Sequence, residues 1–163
     1  MLCLYFDIKN INKMKNEKYK ASIVRVEHFN SAHRLGVSEW TDEKNKTVFG
    51  KCNNANFHGH NYDLEVKLTG EVDPKTGFVM DTKELSDIIN REVIDRFDHK
   101  NLNLDVVEFK NLNPTAENIA YVIYNLLVAQ IPSNKNLKIK LYEPSMTISF
   151  GNSNGFSFHG CSI

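Results

Sequence analysis

An excess of either charge is what this chain most plainly lacks. Its 163 residues hold 20 lysines and arginines against 20 aspartates and glutamates. A domain that grips nucleic acid through bulk charge carries a basic excess, and none exists here. Long apolar runs are missing too, since no stretch approaches the ~20 residues that a membrane helix needs. The opening, Met1 to Phe6, sets a few apolar residues ahead of a lysine-rich segment, the reverse of a secretory signal. Cysteine is scarce. Cys3, Cys52 and Cys161 are odd in number and hold no Cys-x-x-Cys pair, which argues against a disulfide scaffold and a cysteine-built structural zinc site. Neither a dinucleotide fingerprint nor a phosphate loop is present. The expected setting is a reducing cytoplasm, with no membrane and no nucleic-acid partner. A content of 41% hydrophobic residues argues against a disordered chain, and the length suits one domain.

Residues 1–20, dominated by Lys and Asn, read as a flexible extension, 21–150 as a single domain, and 151–163 as a flexible tail rich in Gly, Ser and Asn. Ser22 to Phe29 alternates as a strand does, and Asn61 to Val72 does so most clearly, with Tyr62, Leu64, Val66 and Leu68 on one side. Residues 36–54 read as a long polar connection. Asp81, with Glu84 three residues on, predicts a capped helix whose stripe is Leu85, Ile88, Ile89, Val93 and Phe97. Asn113 to Glu117 opens a second helix, with Pro114 in its first turn and Ile119, Val122, Ile123, Leu126 and Leu127 as its stripe. Leu137 to Tyr142 and Met146 to Phe150 alternate again. The order ββααββ predicts an α+β domain: a four-stranded antiparallel sheet with two helices packed on one face.

Six histidines offer chemistry. His58 and His60 flank a glycine, and residues i and i+2 of a strand share a face, so both rings can hold one ion. His33, at the end of the preceding strand, is a candidate third ligand. Three histidines with an open position form the pattern of a catalytic zinc site. The same pair is compatible with coincidence on a strand surface, and His28 and His159 read as ordinary strand and tail residues. Cys52, six positions before His58, would have its thiol acidified by a nearby dication and could then serve as a base. Its bland reading is a half-buried small hydrophobe. Asp98-His99 matches a carboxylate orienting an imidazole, or else a histidine meeting a helix dipole. Glu143 is placed to bind an N–H and an amino group of a flat heterocycle, or else it is a plain surface carboxylate.

Taken together, several motifs occur in one order: Phe29-Asn30-Ser31-Ala32-His33-Arg34-Leu35, Phe49-Gly50-Lys51-Cys52-Asn53-Asn54, His58-Gly59-His60-Asn61-Tyr62, Gly70-Glu71-Val72-Asp73-Pro74, Asp98-His99-Lys100-Asn101-Leu102, Thr115-Ala116-Glu117-Asn118 and Tyr142-Glu143. From about Ser22 to Phe150 the chain resembles the 6-pyruvoyltetrahydropterin synthase family. The resemblance implies the tunnelling fold, a homohexamer built as a dimer of trimers, and sites between subunits. It implies a lyase that converts 7,8-dihydroneopterin triphosphate to 6-pyruvoyl-5,6,7,8-tetrahydropterin, eliminating triphosphate, on the route to tetrahydrobiopterin. Carried over by motif, His33, His58 and His60 are implied as Zn2+ ligands and Cys52 as proton acceptor. Asp98 and His99 are implied as its relay, Glu143 as pterin anchor, and Thr115 and Glu117 as pocket lining. Ser31 stands where relatives commonly carry alanine, which alters a neighbour and not a ligand. The nearest rival is 6-carboxytetrahydropterin synthase of the queuosine pathway, whose cysteine is spaced closer. A rival of another class is a non-catalytic zinc- or pterin-binding module.

Overall fold

The computed structural model describes residues 18–143 and 146–151, with the backbone of 157–160. Most of the expected extension and tail, and the side chain of His159, lie outside these residues. Two long strands dominate: β1 (Lys20–His33) and β2 (His58–Glu71), antiparallel along their whole lengths. Between them lies α1 (Asp42–Phe49), continued by a tight turn at Gly50–Asn53. Next comes α2, a continuous helix of three stretches: Thr82–Ile89, a wider π-helical Asn90–Ile94 and a last turn Asp95–Phe97. The short β3 (Lys100–Asn101) and α3 (Leu102–Asp105) lead to α4 (Ala116–Val128). The chain then returns through β4 (Asn136–Glu143), β5 (Met146–Gly151) and β6 (Ser157–Gly160).

The α+β class holds, but the expected four-stranded antiparallel sheet and the ββααββ order do not. One six-stranded sheet runs β3-β1-β2-β4-β5-β6, and β3 lies parallel to β1. The departures have physical causes. Helix α1 carries no apolar stripe, and polar bonds pin it instead. The Thr41 hydroxyl caps its start, accepting from the Lys44 amide, and buried Asn45 bonds both the amide and the carbonyl of Val37. Strand β3 is two residues long and is set by pairing with Ser31 and Ala32, which no local periodicity announces.

The two long helices follow their stripes. Asp81 caps α2 by accepting from the Lys83 amide at 2.7 Å, and Leu85, Ile88, Ile89, Val93 and Phe97 are all buried. Helix α4 buries Ile119, Val122, Ile123 and Leu127. Its cap is Thr115, so Pro114 stands before the helix and not in its first turn. These stripes cover one face of the sheet, packing on Phe29 of β1, Tyr62, Leu64, Val66 and Leu68 of β2, Leu137, Ile139 and Leu141 of β4, and Ile148 of β5. On β1 the pattern is inverted. Val24 and Val26 are about half exposed on the other face, while Glu27 reaches the hydroxyl of Ser86 on α2. Ile123, with no exposed surface, sits in the middle of this core. Ile123→Ala is expected to cost roughly 3 kcal/mol, because the cavity adds to the lost transfer energy. A urea midpoint that does not move in equilibrium unfolding would contradict that packing.

Candidate metal centre and the cleft beside it

The register of β1 on β2 builds the centre. His33, the last residue of β1, pairs with His58, the first of β2, and two steps along Ser31 pairs with His60. Alternation turns all three rings to the helix-covered side. One ring nitrogen from each of the three lies within 4.8 Å of the others. His33 Nε2 and His58 Nε2 stand 3.1 Å apart. A backbone carbonyl can only accept, so the 2.7 Å contact between His33 Nδ1 and the Pro114 carbonyl puts the proton on Nδ1. That tautomer leaves Nε2 with a free lone pair, which is how a ligating histidine is usually oriented.

Electrostatics agree with ligation. Burial lowers the pKa of His33 to about 4, with the neighbouring rings adding to the effect and the Pro114 bond opposing it. His58 and His60 are also lowered, chiefly by burial. All three are therefore neutral near pH 7, the state in which imidazole binds a metal. His58 Nδ1 and His60 Nε2 are buried without an aligned hydrogen bond. Three neutral nitrogen donors with unsatisfied ring atoms fit a divalent ion such as zinc, with coordination positions left over for a ligand.

Glu143, the last residue of β4, borders the centre, and its Oε1 lies 3.0 Å from His60 Nε2. Burial raises its carboxyl above the usual carboxylate range. The charge of His58 opposes that shift and Glu117 adds to it. Thr115 and Glu117 sit at the start of α4, just after Pro114. The Thr115 hydroxyl is used as the helix cap, accepting from the Asn118 amide, and the Glu117 side chain is exposed.

Cys52 is a half-buried free thiol on the Gly50–Asn53 turn. Its position beside the end of β1 is fixed by backbone and amide bonds. The Leu35 amide donates to the Cys52 carbonyl at 2.8 Å, the Arg34 Nε–H donates to the Asn53 carbonyl, and Asn53 Nδ2 donates to the Leu35 carbonyl at 2.6 Å. Asp98 and His99 lie elsewhere. They follow α2 at the β1 edge, where the Asn30 amide donates to Asp98 Oδ1 at 2.8 Å and holds that carboxyl below its ordinary range. His99 Nδ1 lies 2.9 Å from Asp98 Oδ2. Its backbone is left-handed (φ 57°), and its side chain is 77% exposed. With Asn30, Gly59, His60, Asn61 and Asp105 it lines a groove. Among the described residues, no hydrogen bond or ion pair joins Asp98 or His99 to Cys52 or to the three histidines.

The sequence pattern did not single out three contributors: the Pro114 carbonyl, the Asn53 amide and Tyr62. The first is a main-chain carbonyl, which residue type does not reveal, and the second is a side-chain amide whose partner is the main-chain carbonyl of Leu35. Tyr62 was visible as a core residue of β2, yet its hydroxyl is fully buried without a partner. Burial pushes its phenol up, and the charges of Glu143 and Cys52 push it further.

A single α+β sheet with three convergent, neutral histidines on its covered side defines a class of proteins with a site able to hold a metal ion. The family model described as 6-pyruvoyl tetrahydropterin synthase matches residues 22–150. The human 6-pyruvoyl tetrahydrobiopterin synthase is 40% identical over 129 residues, which is 79% of this chain and 89% of that protein. The solved 6-pyruvoyl tetrahydropterin synthase of Caenorhabditis elegans superposes with a TM-score of 0.77 at 40% identity, over 83% of this chain and 97% of that one. More distantly, a dihydroneopterin monophosphate aldolase of Pyrococcus furiosus is 33% identical over 76% of this chain and 90% of its own length. The chain belongs to the 6-pyruvoyl tetrahydropterin synthase family and is an enzyme of the lyase class.

Proposed function

We propose that the protein is a zinc-dependent lyase acting in tetrahydrobiopterin biosynthesis. It converts 7,8-dihydroneopterin triphosphate to 6-pyruvoyl-5,6,7,8-tetrahydropterin and releases triphosphate. The carrying observation is the convergence of His33, His58 and His60 within 4.8 Å, inside the span matched by the family. His33, His58 and His60 would hold the zinc, which, when bound, supplies a Lewis acid at the two side-chain hydroxyls of the substrate. Glu143 accepts hydrogen bonds from the N–H and amino group of the pterin, and Thr115 and Glu117 line that end of the pocket. Cys52 removes the proton from the substrate side chain. Asp98 and His99 relay it, and their place at an open sheet edge supports supply from a neighbouring copy in a homohexamer.

The five residues between Cys52 and His58 favour this reaction over 6-carboxytetrahydropterin synthesis. Incubation with 7,8-dihydroneopterin triphosphate, product mass spectrometry and zinc analysis of the same sample test the reading. A carboxylated product, a cleaved side chain, or pterin binding without turnover would each replace it. A cytoplasmic location is part of the reading. Among the described residues, no helix is long and apolar enough to cross a membrane, and the proposed role of Cys52 needs a reduced thiol.

Glu143→Gln keeps the shape of the anchor and removes its charge. Charge-assisted hydrogen bonds contribute about 1.5–3 kcal/mol each, so KM is expected to rise about 10- to 100-fold while bound zinc is retained. Steady-state kinetics with metal analysis check this. An unchanged KM would remove Glu143 from the pterin edge.

A further inference from the structure

His99 holds a backbone conformation that is uncommon for a residue with a β-carbon. Its φ of 57° lies in the left-handed region. Such a conformation persists only where its surroundings over-determine it. Anchors stand on both sides of it. At the upstream end Asn30 of β1 uses both of its main-chain groups. Its amide donates to Asp98 Oδ1 at 2.8 Å, and its carbonyl accepts from the His99 amide at 2.7 Å. Downstream, β3 pairs Lys100 with Ser31 and Asn101 with Ala32, a ladder only two residues long. The side chain of Asn103 extends that ladder. Its Oδ1 accepts from the Arg34 amide at 2.8 Å, and its Nδ2 donates to the Arg34 carbonyl at 3.0 Å. A carboxamide carries the donor and the acceptor of a peptide unit, so it serves Arg34 as a neighbouring strand would. The turn that presents it is held as well. Asn101 Oδ1 accepts from the Asn103 amide at 3.1 Å, and Asp105 Oδ2 accepts from the Asn101 amide at 2.8 Å.

We propose that Asn103 is a positioning residue for His99. Its two-bond clamp on Arg34 fixes residues 98–103 along the β1 edge, and so keeps His99 left-handed with its imidazole against Asp98. This rests on the pterin lyase reading, in which Asp98 and His99 relay the proton. Leu102, with no exposed surface, already ties the segment to the core. Apolar burial is non-directional and sets no register along a strand. Two hydrogen bonds to one residue do set it, and they do so within four positions of His99. The imidazole itself is 77% exposed and meets only Asp98 among the described residues, so its own contacts cannot hold it. Its place is set through the main chain on either side.

Asn103→Ala is expected to fold, because Leu102 stays buried, and to keep its zinc. Its kcat should fall about 10- to 100-fold with KM within about threefold, the usual effect of a group moved off its productive geometry. A double-mutant cycle shows through which residue the loss runs. Added to His99→Ala, the Asn103→Ala change should lower kcat by less than about twofold further. A full additional loss in that background overturns the proposal, and so does a single variant within about twofold of the parent. Because Arg34 follows the ligand His33, loss of zinc would assign the clamp to the metal centre and overturn it too. Amide hydrogen exchange needs no substrate. Across residues 98–103 it should speed up about tenfold or more in Asn103→Ala, with β2 unchanged. Exchange as slow as in the parent would refute the clamp. If Asn103→Ala fails to fold, Asn103→Ser, whose hydroxyl cannot span both groups of Arg34, is judged by the same readouts. Failure of the parent protein to turn over 7,8-dihydroneopterin triphosphate would overturn the lyase reading, while hydrogen exchange still judges the hold of Asn103 on the segment that carries His99.

Discussion

Replacing His58 with alanine is expected to give a folded protein that retains little zinc and loses at least about a thousandfold in kcat/KM. The fold should survive because His58 is only partly buried at the first position of β2, beyond the apolar run from Tyr62 to Leu68. The site should not survive. His33 Nε2 faces His58 Nε2 at 3.1 Å, and two remaining nitrogens bind a dication far more weakly than three. Chelation of the parent protein should reproduce the loss and added zinc should reverse it, whereas His58→Ala should stay inactive at the same zinc concentration. Circular dichroism, metal analysis and turnover on one preparation check all three expectations. Full activity in the metal-free parent would remove zinc from the reaction.

Periodicity made legible what is stabilised by apolar faces. The strand Asn61 to Val72 and the stripes Leu85 to Phe97 and Ile119 to Leu127 are packed as their spacing predicts, because burial selects for one face. Where polar bonds or pairing hold the chain, the sequence was silent. Helix α1 is anchored through Asn45, β3 exists only by pairing with β1, and the segment expected as a long polar connection positions Cys52 through bonds of Asn53 and Cys52 to Leu35. The alternation at Val24 and Val26 identified a strand, but those valines lie on the face opposite the helices.

The site was legible to a different depth. The His-Gly-His spacing brings two rings to one face, and hairpin register places His33 against His58, so local geometry accounts for the triad. Second contacts were out of reach of spacing rules. The Pro114 carbonyl that sets the His33 tautomer lies 81 positions away. The groups joined in sequence reasoning also part in space. Asn30 holds Asp98 and His99 at the β1 edge, and His99 lines the groove there. If relay and thiol act together, as proposed, they do so across a contact between copies. Mixing a Cys52→Ala protein with a His99→Ala protein should then restore part of the activity that each lacks.

Cys52→Ala carries the other large expected effect. Removing the proposed proton acceptor should lower kcat by about 10²- to 10⁴-fold, the usual worth of a positioned base. Zinc content, pterin binding and melting temperature should stay near those of the parent. The turn that carries Cys52 is held through the main chain, by the Leu35 amide on its carbonyl and by the neighbouring Asn53, and not through the thiol. Cys52→Ser sharpens the test. A hydroxyl fits the same space but gives up its proton far less readily than a thiol, so serine should be nearly as inactive as alanine if basicity is what matters. If serine instead restored most of the rate, the side chain would act by hydrogen bonding, and the proton would go elsewhere. Single-turnover formation of the first pterin intermediate, followed by absorbance, separates these outcomes from any effect on product release. A Cys52→Ala protein at full rate would leave the three histidines and Glu143 as a binding site that needs another base.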